Sequence, residues 1–105
     1  MIIQVNTDKN IKSSERLESF VSEMLNKSMK RYSDQITRLE VHLSDQNAEK
    51  TGKDDIQCRI EARVKGLNPV AVNSRSEKID LAVSSATAKL KKSLDSLTGK
   101  LKAKK

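Results

Sequence analysis

The chain has 105 residues, 35% of them apolar, with one Tyr, one Phe and no Trp, so it is expected to fold around one thin core of Ile, Leu, Val, Met and Ala. A single cysteine, Cys58, excludes an internal disulfide, and no apolar window is long enough for a signal peptide or a membrane span, so a soluble protein of the cytoplasm is expected. The net charge of +7 is uneven: residues 1–75 hold 13 Lys and Arg against 11 Asp and Glu, and residues 76–105 hold 8 against 3. Such a basic end points to polyanionic partners, nucleic acid first and acidic membrane or protein after it.

Ile3, Val5 and Thr7 alternate with Gln4 and Asn6, the period of a short strand. From Ser13 or Ser14 the period becomes helical. Leu17, Phe20, Val21, Met24, Leu25 and Met29 form one apolar face, continued by Tyr32, and the helix should end near Arg31, before Ser33-Asp34. Two one-sided strands follow. Leu39, Val41 and Leu43 alternate with Arg38, Glu40 and His42; Ile56, Cys58, Ile60, Ala62 and Val64 alternate with Gln57, Arg59, Glu61, Arg63 and Lys65. The polar stretch 45–55 between them, with Gly52, reads as a mobile hairpin loop. Gly66-Leu67-Asn68-Pro69 is a second turn, leading into a short strand over 70–73.

Ser74-Arg75-Ser76-Glu77 has the spacing of a capping box, so the second helix is expected to start there. Ile79, Val83, Ala86, Leu90, Leu94, Leu97 and Leu101 then fall on one line of the helical wheel. Lys89 and Lys100 flank that line on one side, Lys91 and Lys102 on the other, and Lys92 points away from the core. Gly99 is expected to end or fray the helix, so residues 1–98 read as one domain and 99–105 as a flexible basic tail. The element order is β-α-β-β-β-α. One-sided strands need one covering layer, so the expected fold is α+β, a four-stranded mixed sheet with two helices packed on one face. The first two strands should be parallel and the rest antiparallel.

Little in the chain suits catalysis. His42 and Glu40 share a strand face, but no nucleophile or metal-ligand set accompanies them, and a solvated strand face is the simpler reading. Cys58 lies among inward-facing residues and reads as a structural thiol. Gly52, Gly66 and Gly99 are isolated and form no phosphate-cradling loop. The chain is therefore expected not to be an enzyme and to need no cofactor, metal or small-molecule substrate. The basic residues carry more. Lys78, Lys89, Lys91 and Lys92 with Arg75 belong to the second helix and its approach, Arg59, Arg63 and Lys65 to the third strand, and Lys27, Lys30 and Arg31 to the end of the first helix. Lysines beside an apolar stripe can be a mere solubilising fringe, yet basic groups from several elements can follow a folded phosphate backbone. Phe20 and Tyr32 both fall on the buried side of the first helix, which leaves no stacking platform for single-stranded bases. Backbone and shape recognition of structured RNA is the expected mode.

Several stretches resemble one family. Ile11-Lys12-Ser13-Ser14-Glu15-Arg16-Leu17 with Phe20-Val21 is similar to the start of its first helix. Tyr32-Ser33-Asp34-Gln35-Ile36-Thr37 running into Glu40-Val41-His42-Leu43 is similar to its helix-to-strand junction. Cys58-Arg59-Ile60-Glu61-Ala62-Arg63 and Lys89-Leu90 with Lys92 and Leu94 are similar to its third strand and second helix. On these the chain resembles the ribosome hibernation-promoting factors, also called ribosome-associated inhibitors or sigma-54 modulation proteins, in their short form. The resemblance implies a fold akin to double-stranded-RNA-binding domains. It also implies binding to the small ribosomal subunit and its RNA, in the channel for messenger and transfer RNA, with translation inhibited by occlusion in stationary phase or stress. The chain departs from the family in carrying Lys78-Ile79-Asp80-Leu81-Ala82-Val83-Ser84 where many members have an Asp-x-Tyr-x-Ala-Ile-Asp stretch. A monomer off the ribosome, with no membrane partner, is expected. The alternatives are a protein-binding sigma-factor modulator and a free-standing double-stranded-RNA binder.

Overall fold

The computed structural model describes residues 1–45 and 55–103, with side chains through residue 97. All of the expected loop except its end residues Asp45 and Asp55, and residues 104–105 of the basic end, lie outside the described residues. The order is β1 (Ile2–Thr7), α1 (Glu15–Ser28), a turn of 3-10 helix (Lys30–Tyr32), β2 (Ile36–Asp45), β3 (Ile56–Val64), β4 (Val70–Ser76) and α2 (Ile79–Ala103). The four strands form one sheet in the order β1-β2-β3-β4; β1 runs parallel to β2, and the β2–β3 and β3–β4 pairs are antiparallel. Fold class and topology follow the expectation from the sequence.

Alternation decides which face is covered. Leu39, Val41 and Leu43 of β2 lie opposite Ala62, Ile60 and Cys58 of β3, and all six are buried. α1 packs over β1, and α2 over β3 and β4, on this same face. From the helices, Val21, Leu25, Met29, Ala82, Val83, Ala86, Leu90 and Leu94 close the core. Each fully buried Val, Leu or Met contributes about 1.5–3 kcal/mol of apolar burial. The other sheet face carries Gln4, Asn6, Arg38, Glu40, His42, Arg59, Glu61 and Arg63 and has no covering layer among the described residues.

Ile36 and Leu39 are both buried although three residues apart, which strict alternation forbids. A bulge resolves this. Ile36 lies opposite Val64 and Arg38 opposite Arg63, leaving Thr37 as an extra residue whose Oγ1 donates to the Arg63 carbonyl at 3.2 Å. Past Val64 the chain turns through Gly66 at φ +75, a backbone region in which L side chains are strained.

α1 begins at the expected place, with Ser14 Oγ accepting from the Leu17 N–H at 3.1 Å and Glu15 and Glu18 in the first turn. The α-helical run ends at Ser28, where the Met29 N–H still bonds the Leu25 carbonyl, and a 3-10 turn carries the chain to Tyr32.

Three local expectations are corrected. Ser74, Arg75 and Ser76 are not a helix cap but the end of β4, opposite Cys58, Gln57 and Ile56. The nine-residue β3 offers a ladder that satisfies their backbone continuously, which a two-residue capping motif cannot match. α2 starts only at Ile79, its first turn closed by the Ala82 N–H on the Lys78 carbonyl at 3.0 Å. It also continues through Gly99 to Ala103, because one glycine costs a helix only about 1 kcal/mol among good helix formers such as Leu and Lys. Finally, Phe20 is 39% exposed rather than buried. It sits about 100° from Val21, at the margin of the apolar arc, and lines a shallow apolar groove with Leu17 and Ile79.

The contrast within α1 is measurable. Leu25→Ala should lower the free energy of unfolding by about 2–5 kcal/mol, and Phe20→Ala by about 1 kcal/mol or less; urea denaturation of both variants gives the difference.

Candidate nucleic-acid interface

The sequence-expected basic residues divide among the β4 edge, the helix layer and the outer sheet face. α2 brings Lys89 and Lys92 to its β4 side, where with Val72, Asn73, Ser93 and Ser96 they line an open groove of about 450 Å³. The Lys89 ammonium donates to the Asn73 carbonyl at 2.8 Å, so the helix is tied to the free edge of the sheet at this point. Asn73 Oδ1 accepts from Gln57 Nε2 at 3.3 Å on the far side of that strand. Arg75 is two residues further along β4 and exposed on the outer sheet face, and Lys78 is exposed just before α2. These four cations therefore follow the β4 edge around from the helix layer towards the outer face.

Lys91 leans the other way. It lines a groove of about 310 Å³ between the helices with Met24, Ser28, Ser84, Thr87 and Ala88. The end of α1 lies beside the second half of α2, as the Arg31 guanidinium reaches Asp95 at 3.6 Å and stands 5.4 Å from the centre of the Tyr32 ring. Lys27 and Lys30 are exposed on this side. Both members of the Arg31–Asp95 pair are substantially solvated, so the pair orients Arg31 more than it stabilises the fold.

Arg59 and Arg63 project from the outer face of β3, opposite the helices, and Lys65 is exposed just past its end. About 27 Å of strand separates Lys65 from the Gln57 position beside Arg75. The structure thus gathers Lys89, Lys92, Arg75 and Lys78 about one edge, with Arg59 one strand in from it, opposite Asn73 and diagonal to Arg75, places Lys91, Lys27, Lys30 and Arg31 on the helix layer, and does not bring Lys65 or Arg63 to either group. Arg38 belongs with Arg63, directly across the β2–β3 ladder, and the sequence reading missed it. Its guanidinium donates to Gln4 Oε1 and lies 3.8 Å from Glu40. Alternation alone showed that Arg38 faces outward; only the register of β2 on β3 shows which side chain it meets.

A sequence profile described as sigma 54 modulation protein / S30EA ribosomal protein matches residues 4–102. The chain belongs to this family. No curated protein matches it. Solved structures share its fold, among them the two that follow. The N-terminal domain of Protein Y from Thermus thermophilus is 20% identical with a TM-score of 0.74, covering 92% of this chain and 99% of that one. A ribosomal subunit interface protein from Coxiella burnetii is 17% identical with a TM-score of 0.71, covering 94% and 99%. The family is a ribosome-associated one, so this chain is a member of a ribosome-binding and translation-regulating group.

Cys58, opposite Ser74 on the core face, is fully buried, and burial pushes its thiol from 9.0 up to about 12. Because the folded value lies above the unfolded one, the neutral thiol costs nothing below pH 9; between about 9 and 12 the unfolded chain ionises first and stability falls as pH rises. Cys58→Ala should flatten the decline in melting temperature across this window, and the native thiol should resist a disulfide reagent at pH 8 until denaturant is added.

Proposed function

We propose that this protein is a cytoplasmic ribosome hibernation factor. It binds the small subunit in the channel that otherwise holds messenger and transfer RNA, and it silences translation in stationary phase or stress by occupying that space, without chemistry. Family membership supports the ribosome as partner, and the description of the Coxiella burnetii relative as a ribosomal subunit interface protein supports the place. The observation that carries the reading is the lysine-lined groove between α2 and β4, with Lys89 and Lys92 at its walls and Arg75 and Lys78 beyond it. Cations fixed along a sheet edge are suited to ribosomal RNA phosphates, a backbone contact that needs no base reading. Lys91, Lys27, Lys30 and Arg31 extend the positive surface over the helix layer.

Lys89→Glu with Lys92→Glu should weaken cosedimentation with purified small subunits by at least about tenfold and lower the slope of log affinity against log salt by roughly two. A thermal melt checks the fold, since Lys89 also bonds Asn73. Unchanged cosedimentation would remove this surface from the interface. Equal affinity for any A-form RNA duplex would favour a free-standing double-stranded-RNA binder instead.

A further inference from the structure

The outer face of β2 and β3 carries its charges in rows. Arg38 lies directly opposite Arg63, Glu40 opposite Glu61, and His42 opposite Arg59. Like charges placed opposite each other destabilise a sheet, whereas opposite charges stabilise it. Interchanging the residues at 61 and 63 would pair each acid with a base, with no change in composition. The structure instead keeps a row of two arginines, an acidic row and a third row whose fixed charge is that of Arg59, each about 7 Å from the next along the strands. The Arg38–Glu40 approach of 3.8 Å runs along β2 and offsets part of the repulsion. This face lacks a covering layer among the described residues, so its pattern is open to a partner.

A phosphate backbone has one sign of charge. It would be attracted by the outer rows and repelled by the Glu40–Glu61 row between them. A protein surface can carry both signs. We propose that the outer sheet face docks a protein surface of the small subunit whose side chains run acidic, basic, acidic over about 14 Å, the span of four strand residues. On this assignment Arg59 and Arg63 meet carboxylates, and the RNA contacts are confined to the β4 edge and the helix layer. The inference rests on the ribosome-binding reading above.

A polyanion and a mixed-charge protein surface respond to the same substitution with opposite sign. Glu40→Lys with Glu61→Lys makes the face uniformly basic. Affinity for purified small subunits should fall at least tenfold, while affinity for protein-free ribosomal RNA stays the same or rises. Tighter or unchanged binding to the subunit would overturn the proposal, the first outcome by assigning the face to RNA. Glu40→Gln with Glu61→Gln removes the acidic charge with little change of shape; it should show a several-fold loss and carries the test if the lysine variant melts early. Should the wild-type protein fail to bind subunits at all, the ribosome reading falls and this inference with it; a binding wild type with an undiminished variant sinks the inference alone.

Discussion

Four strands whose apolar residues point almost all one way, with Ile2 opposite Arg38 and Ala71 opposite Glu61 as outward exceptions, must be covered on that side and only on that side. β2 and β3 set this condition, since their inward residues are buried, Ile56 at the start of β3 only in part, and the residues between them are polar. Both helices are consequently drawn to one layer, and neither can shield the opposite face. The edges differ for the same reason. At β1, Ile3 and Val5 remain half-buried beneath α1, while at β4 the longer α2 reaches the margin and bonds a strand carbonyl through Lys89. Core, edge and outer face are three consequences of one polarity pattern.

That pattern also distributes charge. A helix with an apolar arc over a sheet has its cations at the two margins of the arc, and the margins of α2 abut different neighbours. Lys89 and Lys92 meet β4, whereas Lys91 meets α1. The helical wheel shows the two flanks as equivalent; packing makes one of them a groove beside a strand and the other a cleft between helices. The charged residues of β3, by contrast, have no helix to sit beside and face outward with those of β2. Basic residues that look like one population in the composition thus form surfaces of distinct character, one in which cations predominate and one of alternating sign.

The sequence was most informative where a period persisted. Ile56 to Val64 alternate without interruption, and their strand is found where the alternation runs; Val21, Leu25, Leu90 and Leu94 sit at the centres of their arcs and are buried. It misled where a short motif competed with a long ladder. Ser74 to Glu77 can cap a helix in isolation, but β3 was already long enough to hold Ser74, Arg75 and Ser76 as strand. Phe20 failed because hydrophobicity was taken as burial at the edge of an arc, where geometry leaves the ring partly in water. The candidate site was legible as a set of cations and not as an arrangement. Strand register depends on pairing between distant residues, and neither the Arg38–Arg63 row nor the Lys89–Asn73 bond leaves a local signature.

The bulge at Thr37 acts on this arrangement as a clutch between two gears. Ahead of it, Ile36 is in phase with the helix junction; behind it, Arg38, Glu40 and His42 are in phase with Arg63, Glu61 and Arg59. The extra residue decouples the two, so the segment arriving from Tyr32 can dock its own apolar side chain without turning the charged rows inward. The chemistry displayed on the outer surface is thereby insulated from how the preceding helix happens to finish.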